Sequence, residues 1–269
     1  MSRRAAYEAR QRRRATIIAS GSTVLALVAI ILLVPLAPGW PRVQQSFFSG
    51  EVFVQTFPKM LEAFMLNIAI FAWSAPLVAL VGLLIALARS VQAPALFPLR
   101  FFGAAYVDIF RGLPVVLVIY LIGFGIPGLG LPRPYNSPYV WGTVALVLTY
   151  SAYVAEIIRS GIESVHPSQR AAGLSLGMSE RHVMRDIILP QAIRRVVPAN
   201  MNMLIALQKD VALLSFIGPV EILRQAGIYK SLLANFTPYV VAAVIFLSVT
   251  IPATRYADYL VNRQRNARS

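Results

Sequence analysis

The 269-residue chain has no cysteine, which excludes disulfides, thiolate nucleophiles and thiolate metal sites. It has two histidines, His166 and His182, sixteen positions apart in one polar stretch, which is not a metal-ligand spacing. It has three lysines, and they follow Pro58, Gln208 and Tyr229. None follows glycine, so the phosphate-cradling G-x-x-x-x-G-K-[ST] motif is absent and the chain carries no P-loop ATPase of its own. Charge is scarce too: 13% of residues are charged and 57% are apolar. Soluble domains run at about 25% charged, so this composition excludes an ordinary soluble enzyme. Disorder is excluded by the same abundance of large apolar residues.

The charges are also unevenly placed. Residues 15–41, 63–88, 112–132, 134–155 and 231–254 carry none, and 196–220 is interrupted only by Lys209 and Asp210. A bilayer crossing needs about 20 apolar residues. The chain therefore reads as an all-α membrane protein with six transmembrane helices. Basic residues then set the orientation. Nineteen of the 25 lie in the N-terminal tail, in 89–111, in 159–195 and in the C-terminal tail, all on one side of six alternating helices. Arg133 falls on the opposite side. Both termini are expected in the cytoplasm, and the net charge of +14 reads as topology, not as affinity for nucleic acid. The first run exceeds the usual apolar core of a signal peptide and no A-x-A site follows it, so it is expected to stay as a helix.

Segment 95–110 is apolar and aromatic but holds Arg100 and Asp108. It fits equally an interfacial elbow or an early start to the third helix. Residues 123–128 match G-x-G-x-x-G, but they follow a membrane span and include Pro127, so no dinucleotide site is expected.

Stretch 159–195 is the most organised part of the sequence. Pro167 suits a first helical position. Gln169 to Leu176 can form a short helix, and Gly177 is a natural stop in the left-handed conformation. Ser179 can cap a second helix with Glu180 at its positive end. Pro190 is expected to break or kink that helix.

These residues resemble the EAA loop of ABC importer permeases, in which Glu-Ala-Ala is followed by three residues, Gly, nine residues, Ile, one residue and Leu-Pro. Aligned on Gly177, the positions Ala172, Ile187, Leu189 and Pro190 match. Ala171 stands where the family has glutamate, and Gly173 where it has alanine. Phe110 to Pro114, Ala152 to Arg159 and Gln191 to Arg195 resemble the polar amino-acid uptake branch, which handles histidine, glutamine, glutamate, arginine or opines. The resemblance covers about 57–259. It implies a type I ABC importer transmembrane domain, a five-helix core preceded by one extra helix at 15–38, with basic tails at 1–14 and 260–269.

The resemblance further implies a permease half in a bacterial plasma membrane. Its coupling loop (Gln169, Arg170, Ala171, Ala172, Gly173, Gly177, Ile187, Leu189, Pro190) would dock on a cytoplasmic ABC ATPase dimer. ATP and Mg would bind there and not on this chain. A second permease half, identical or homologous, and an extracytoplasmic amino-acid-binding protein would complete the assembly. The missing glutamate implies a neutral or acidic ATPase surface opposite Arg170. Lys209 and Asp210 lie about 20 Å into their span, where ionisable groups are costly. They and Glu156 are the candidate translocation-path residues, with structural pairing to another helix as the plainer reading. An ion-coupled secondary transporter using the same three residues is the alternative. It would be favoured by inverted internal repeats, and none is evident. No catalytic or metal-binding residues are identified.

Overall fold

A computed structural model describes residues 3–90, 93–132 and 135–266. Arg133 and Arg268 of the charge pattern lie outside them. The described residues form eleven α-helices joined by short tight turns, with no strand. In chain order these are α1 (Arg3–Leu33), α2 (Trp40–Phe47), α3 (Gly50–Ser90), α4 (Phe97–Gly112), α5 (Val115–Gly125) and α6 (Pro138–Glu163). Then come α7 (Pro167–Ser175), α8 (Glu180–His182), α9 (Leu189–Asp210), α10 (Ile222–Leu233) and α11 (Thr237–Asn266).

Four helical stretches are long and apolar enough to cross a membrane without a sharp bend: Arg13–Leu36, Trp40–Ser90 (which spans the α2–α3 junction), Pro138–Glu163 and Thr237–Val261. The other two expected crossings are bent pairs, Pro94–Gly112 with Val115–Leu129 at 107° and Glu180–Ile217 with Ile222–Leu233 at 50°. Six crossings result when each bent pair counts as one. Gly112 and Pro114 make the first bend, since the residue before a proline disfavours the helical region; Leu113 is extended, at φ −99° and ψ 140°. The 95–110 segment is thus a separate helix packed on α3 and α6, not a straight extension of the third span.

Both basic tails continue as helix beyond the apolar spans. The basic N-terminal tail is continuous with the first span, because α1 begins at Arg3. The C-terminal tail is likewise an extension of α11 to Asn266. Arginine is a good helix former, so a basic run need not unwind on leaving the bilayer. No part of the α1 span is buried against the rest of the chain.

The core joins α3, α5, α6, α9 and the 3₁₀ segment Val211–Ile217 through Ile70, Val78, Ile119, Leu146, Leu207 and Leu214. Apolar burial alone does not drive association in lipid, so close packing at small residues has to hold such helices together. Gly82 lets α3 approach α6: a Cβ there would lie 2.6 Å from Val154. Gly161 does the same for α6 against α9, where a Cβ would lie 2.2 Å from Val196. Replacing Gly161 with leucine is expected to cost about 3 kcal/mol, because both backbones and a β-branched side chain would have to move. Thermal unfolding of the purified protein in detergent should show the loss, and an unchanged midpoint would show that this contact is loose.

Candidate functional site

The polar stretch between α6 and α9 folds into a small knob. Pro167 opens α7, and the His166 ring caps it, Nδ1 accepting from the Ser168 backbone N–H at 3.2 Å. The helix ends in a paired closure. Gly177 N–H donates to the Leu174 carbonyl at 3.0 Å, and Met178 N–H donates to the Gly173 carbonyl at 3.2 Å. That pairing needs the left-handed backbone that Gly177 adopts at φ +81°. Ser179 caps α8 by accepting from His182 N–H at 3.4 Å. Arg170 on α7 donates to Glu180 Oε2 from Nε at 3.0 Å and from Nη2 at 2.9 Å, tying the two short helices across the turn.

Val165, Val183, Ile188 and Ala192 form the knob's buried centre. Gly173 is buried beside them, and a Cβ there would sit 2.8 Å from both Ile187 Cδ1 and Val183 Cγ2. This is the physical reason for glycine where the resembling loop has alanine. Gln169, Arg170, Ala171 and Ala172 are exposed on α7, as are Leu189 and Pro190 at the start of α9. Leu174 and Leu176 are exposed as well, Leu176 at 82%.

The helix does not break at Pro190. Val183–Ile188 widens into a π-helical turn that feeds directly into α9. The wider turn accommodates a proline that has no N–H to give and whose ring crowds the carbonyl four residues back. The next carbonyl, Ile187, is taken by the Gln191 side chain, Nε2 donating at 2.9 Å.

The three candidate path residues do not come together. Asp210 is the last residue of α9, where the helix tightens into a 3₁₀ segment at Val211–Ile217. Its Oδ2 accepts from the Tyr150 hydroxyl of α6 at 2.7 Å. Lys209 is exposed, with no hydrogen bond or ion pair among the described residues. Glu156 lies elsewhere, between arginines from three places. Oε2 accepts from Arg89 at 2.9 Å and from Arg159 Nε at 3.0 Å. Oε1 accepts from Arg159 Nη2 at 2.6 Å and has Arg111 at 3.6 Å. This cluster joins the end of α3, the α4–α5 bend and the end of α6.

A second polar element is absent from the sequence reading. Glu221 is fully buried and caps α10, accepting from Leu223 N–H at 3.0 Å and Arg224 N–H at 2.8 Å. Asn67 of α3 donates to Glu221 Oε2 at 3.0 Å and accepts from Ile222 N–H at 3.1 Å. The acid at the start of a helical pattern is a readable capping signal; the asparagine 154 positions away is not.

A helical membrane protein with a capped, partly apolar polar loop between a straight span, α6, and a bent one that includes α9 has the architecture of a transport permease. The chain belongs to the binding-protein-dependent transport system inner membrane component family, whose model matches residues 46–266. It is 36% identical to a probable glutamine ABC transporter permease protein, GlnM, of Bacillus subtilis (strain 168), over 62% of this chain and 76% of that one. It is 32% identical to the arginine transport system permease protein ArtQ of the same organism, over 73% of this chain and 88% of that one. Among solved structures, an amino acid ABC transporter crystallised with histidines superposes with TM-score 0.72 at 32% identity, covering 78% of this chain and 96% of that one. The inward-facing MetNI methionine ABC transporter shares the fold, at TM-score 0.62 and 18% identity, over 76% and 95% of the two chains. The fold is that of type I ABC transporter permeases, and the ion-coupled secondary transporter is not favoured.

Proposed function

We propose that this chain forms the membrane path of an ATP-driven importer for a polar or charged amino acid. The observation that carries the reading is the knob at 167–188. Its two short helices are capped at the start of each and at the end of α7, braced by Arg170–Glu180, and present Ala172, Leu174 and Leu176 outward. Exposed apolar side chains on a polar-side loop fit a protein partner. That partner is a cytoplasmic ABC ATPase dimer, which binds ATP and Mg. This chain has no phosphate-binding loop and performs no catalysis. Both termini are cytoplasmic. A second permease half completes the path, and an extracytoplasmic binding protein supplies the amino acid. The names of the relatives and the solved amino acid transporter support the substrate class.

Arg170 is already engaged by Glu180, so no compensating acidic site is required of the ATPase opposite Ala171. Co-expression of the tagged chain with the neighbouring ATPase and binding-protein genes tests the assembly: an ATPase that co-purifies in stoichiometric amount is expected, and its absence counts against the reading.

Lys209 and Asp210 are the proposed path residues. A charged side chain at this depth needs water, a partner or a substrate group. Asp210 has Tyr150, and Lys209 is left to meet an amino-acid carboxylate. In reconstituted complex, Lys209→Met should slow uptake at least tenfold at subsaturating substrate. Asp210→Asn, which keeps the Tyr150 contact geometry, should slow it less. Uptake at the wild-type rate in both would retire their role.

A further inference from the structure

We propose that a cavity between α6 and α9 holds the phosphate of an anionic phospholipid of the cytoplasmic leaflet. The cavity measures about 360 Å³ and is lined by Arg111, Glu156, Ile157, Ser160, Ser164 and Arg195, among others. Its depth follows from the sequence. The uncharged part of α6, residues 138–155, is about 27 Å of helix, close to a hydrocarbon core of about 30 Å. Glu156 and the residues after it therefore enter the headgroup layer.

The charge on the cavity is in surplus. Two arginines, Arg111 and Arg195, and one carboxylate, Glu156, line it, and Glu156 is also paired with Arg89 and Arg159. Glu156 is saturated by its short contacts with Arg89 and Arg159. Arg111 has its one carboxylate contact at 3.6 Å, lies over the Tyr153 ring at 5.9 Å, and keeps 40% of its side chain exposed. Arg195 donates one N–H to the Ser164 carbonyl and has no carboxylate partner among the described residues. Two guanidinium groups beside a serine hydroxyl are a donor set for phosphate oxygens. A zwitterionic amino acid fits worse, because its ammonium group would face the arginines while Glu156 is already engaged. Basic pockets between membrane helices at the cytoplasmic boundary suit anionic headgroups. This inference depends on where α6 sits in the bilayer and not on the transported substrate.

Native mass spectrometry of the purified chain in neutral detergent tests it, with equal phosphatidylglycerol and phosphatidylcholine added. Retention of phosphatidylglycerol about tenfold above phosphatidylcholine is expected. Arg195→Gln should abolish the preference. Ser160→Asp, which places a repelling charge at the exposed lip and removes no arginine, should abolish it too. Folding of both variants is checked by thermal unfolding in the same detergent. Equal retention of the two lipids, or a preference unchanged in both folded variants, would overturn the proposal. So would displacement of the lipid by millimolar inorganic phosphate, which would mark a site for soluble anions. Because transport is not measured, failure of the importer reading leaves the outcome interpretable.

Discussion

Replacing Glu156 with glutamine is expected to destabilise the folded chain by about 3 kcal/mol, the range found when one partner of a buried ion pair is removed. The cluster is largely enclosed: the Glu156 and Arg89 side chains are 19% and 14% exposed. Glutamine keeps the shape and loses the charge that holds Arg89, Arg111 and Arg159 together. Three like charges then remain at the meeting point of α3, the α4–α5 bend and α6. The unfolding midpoint in detergent should fall clearly. Arg89→Gln in the same background should add less than its separate effect, since the two groups share one interaction. A fully additive pair of losses would mean that the arginines are held by something else.

The second large effect is expected at the knob. Leu176 stands 82% exposed beside the Gly177 turn, outside the buried centre formed by Val165, Val183, Ile188 and Ala192. Leu176→Asp should therefore destabilise the fold by no more than about 1 kcal/mol, the scale of a carboxylate placed at the C-terminus of a short helix. ATP-coupled uptake should nevertheless fall at least tenfold, because a carboxylate would be buried against the ATPase without a partner. The two readouts separate a docking surface from a merely structural one. A folded variant with full uptake would remove Leu176 from the interface.

Much of this was legible in the sequence because it is written locally. Uncharged runs located the crossings, and Pro167, Gly177 and Ser179 each act within a few residues of themselves. Two of the three caps of the knob follow from Gly177 and Ser179; the His166 cap does not, because that histidine reads as a plain loop residue. Bends were less visible. A run without charge looks alike whether the helix is straight or turns 107° at Leu113. Pro190 misled for a related reason: proline forbids a regular hydrogen bond but does not say whether the helix stops or widens. Partnerships were invisible, since Arg89 and Glu156 lie 67 positions apart. Yet both are the first charges after uncharged runs, and two opposite charges at the same bilayer depth are a readable hint. The helical tails escaped because charge composition marks where a span leaves the bilayer, not where its helix ends.

In the proposed importer, stretch 159–195 couples this chain to the ATPase. Proteoliposomes holding the complete complex, with ATP enclosed with the ATPase and loaded binding protein outside, measure this directly. Uptake of the labelled amino acid that stops with vanadate, with omission of ATP, and with Leu176→Asp is the expected result. Uptake that continues without ATP and follows an imposed ion gradient would contradict it.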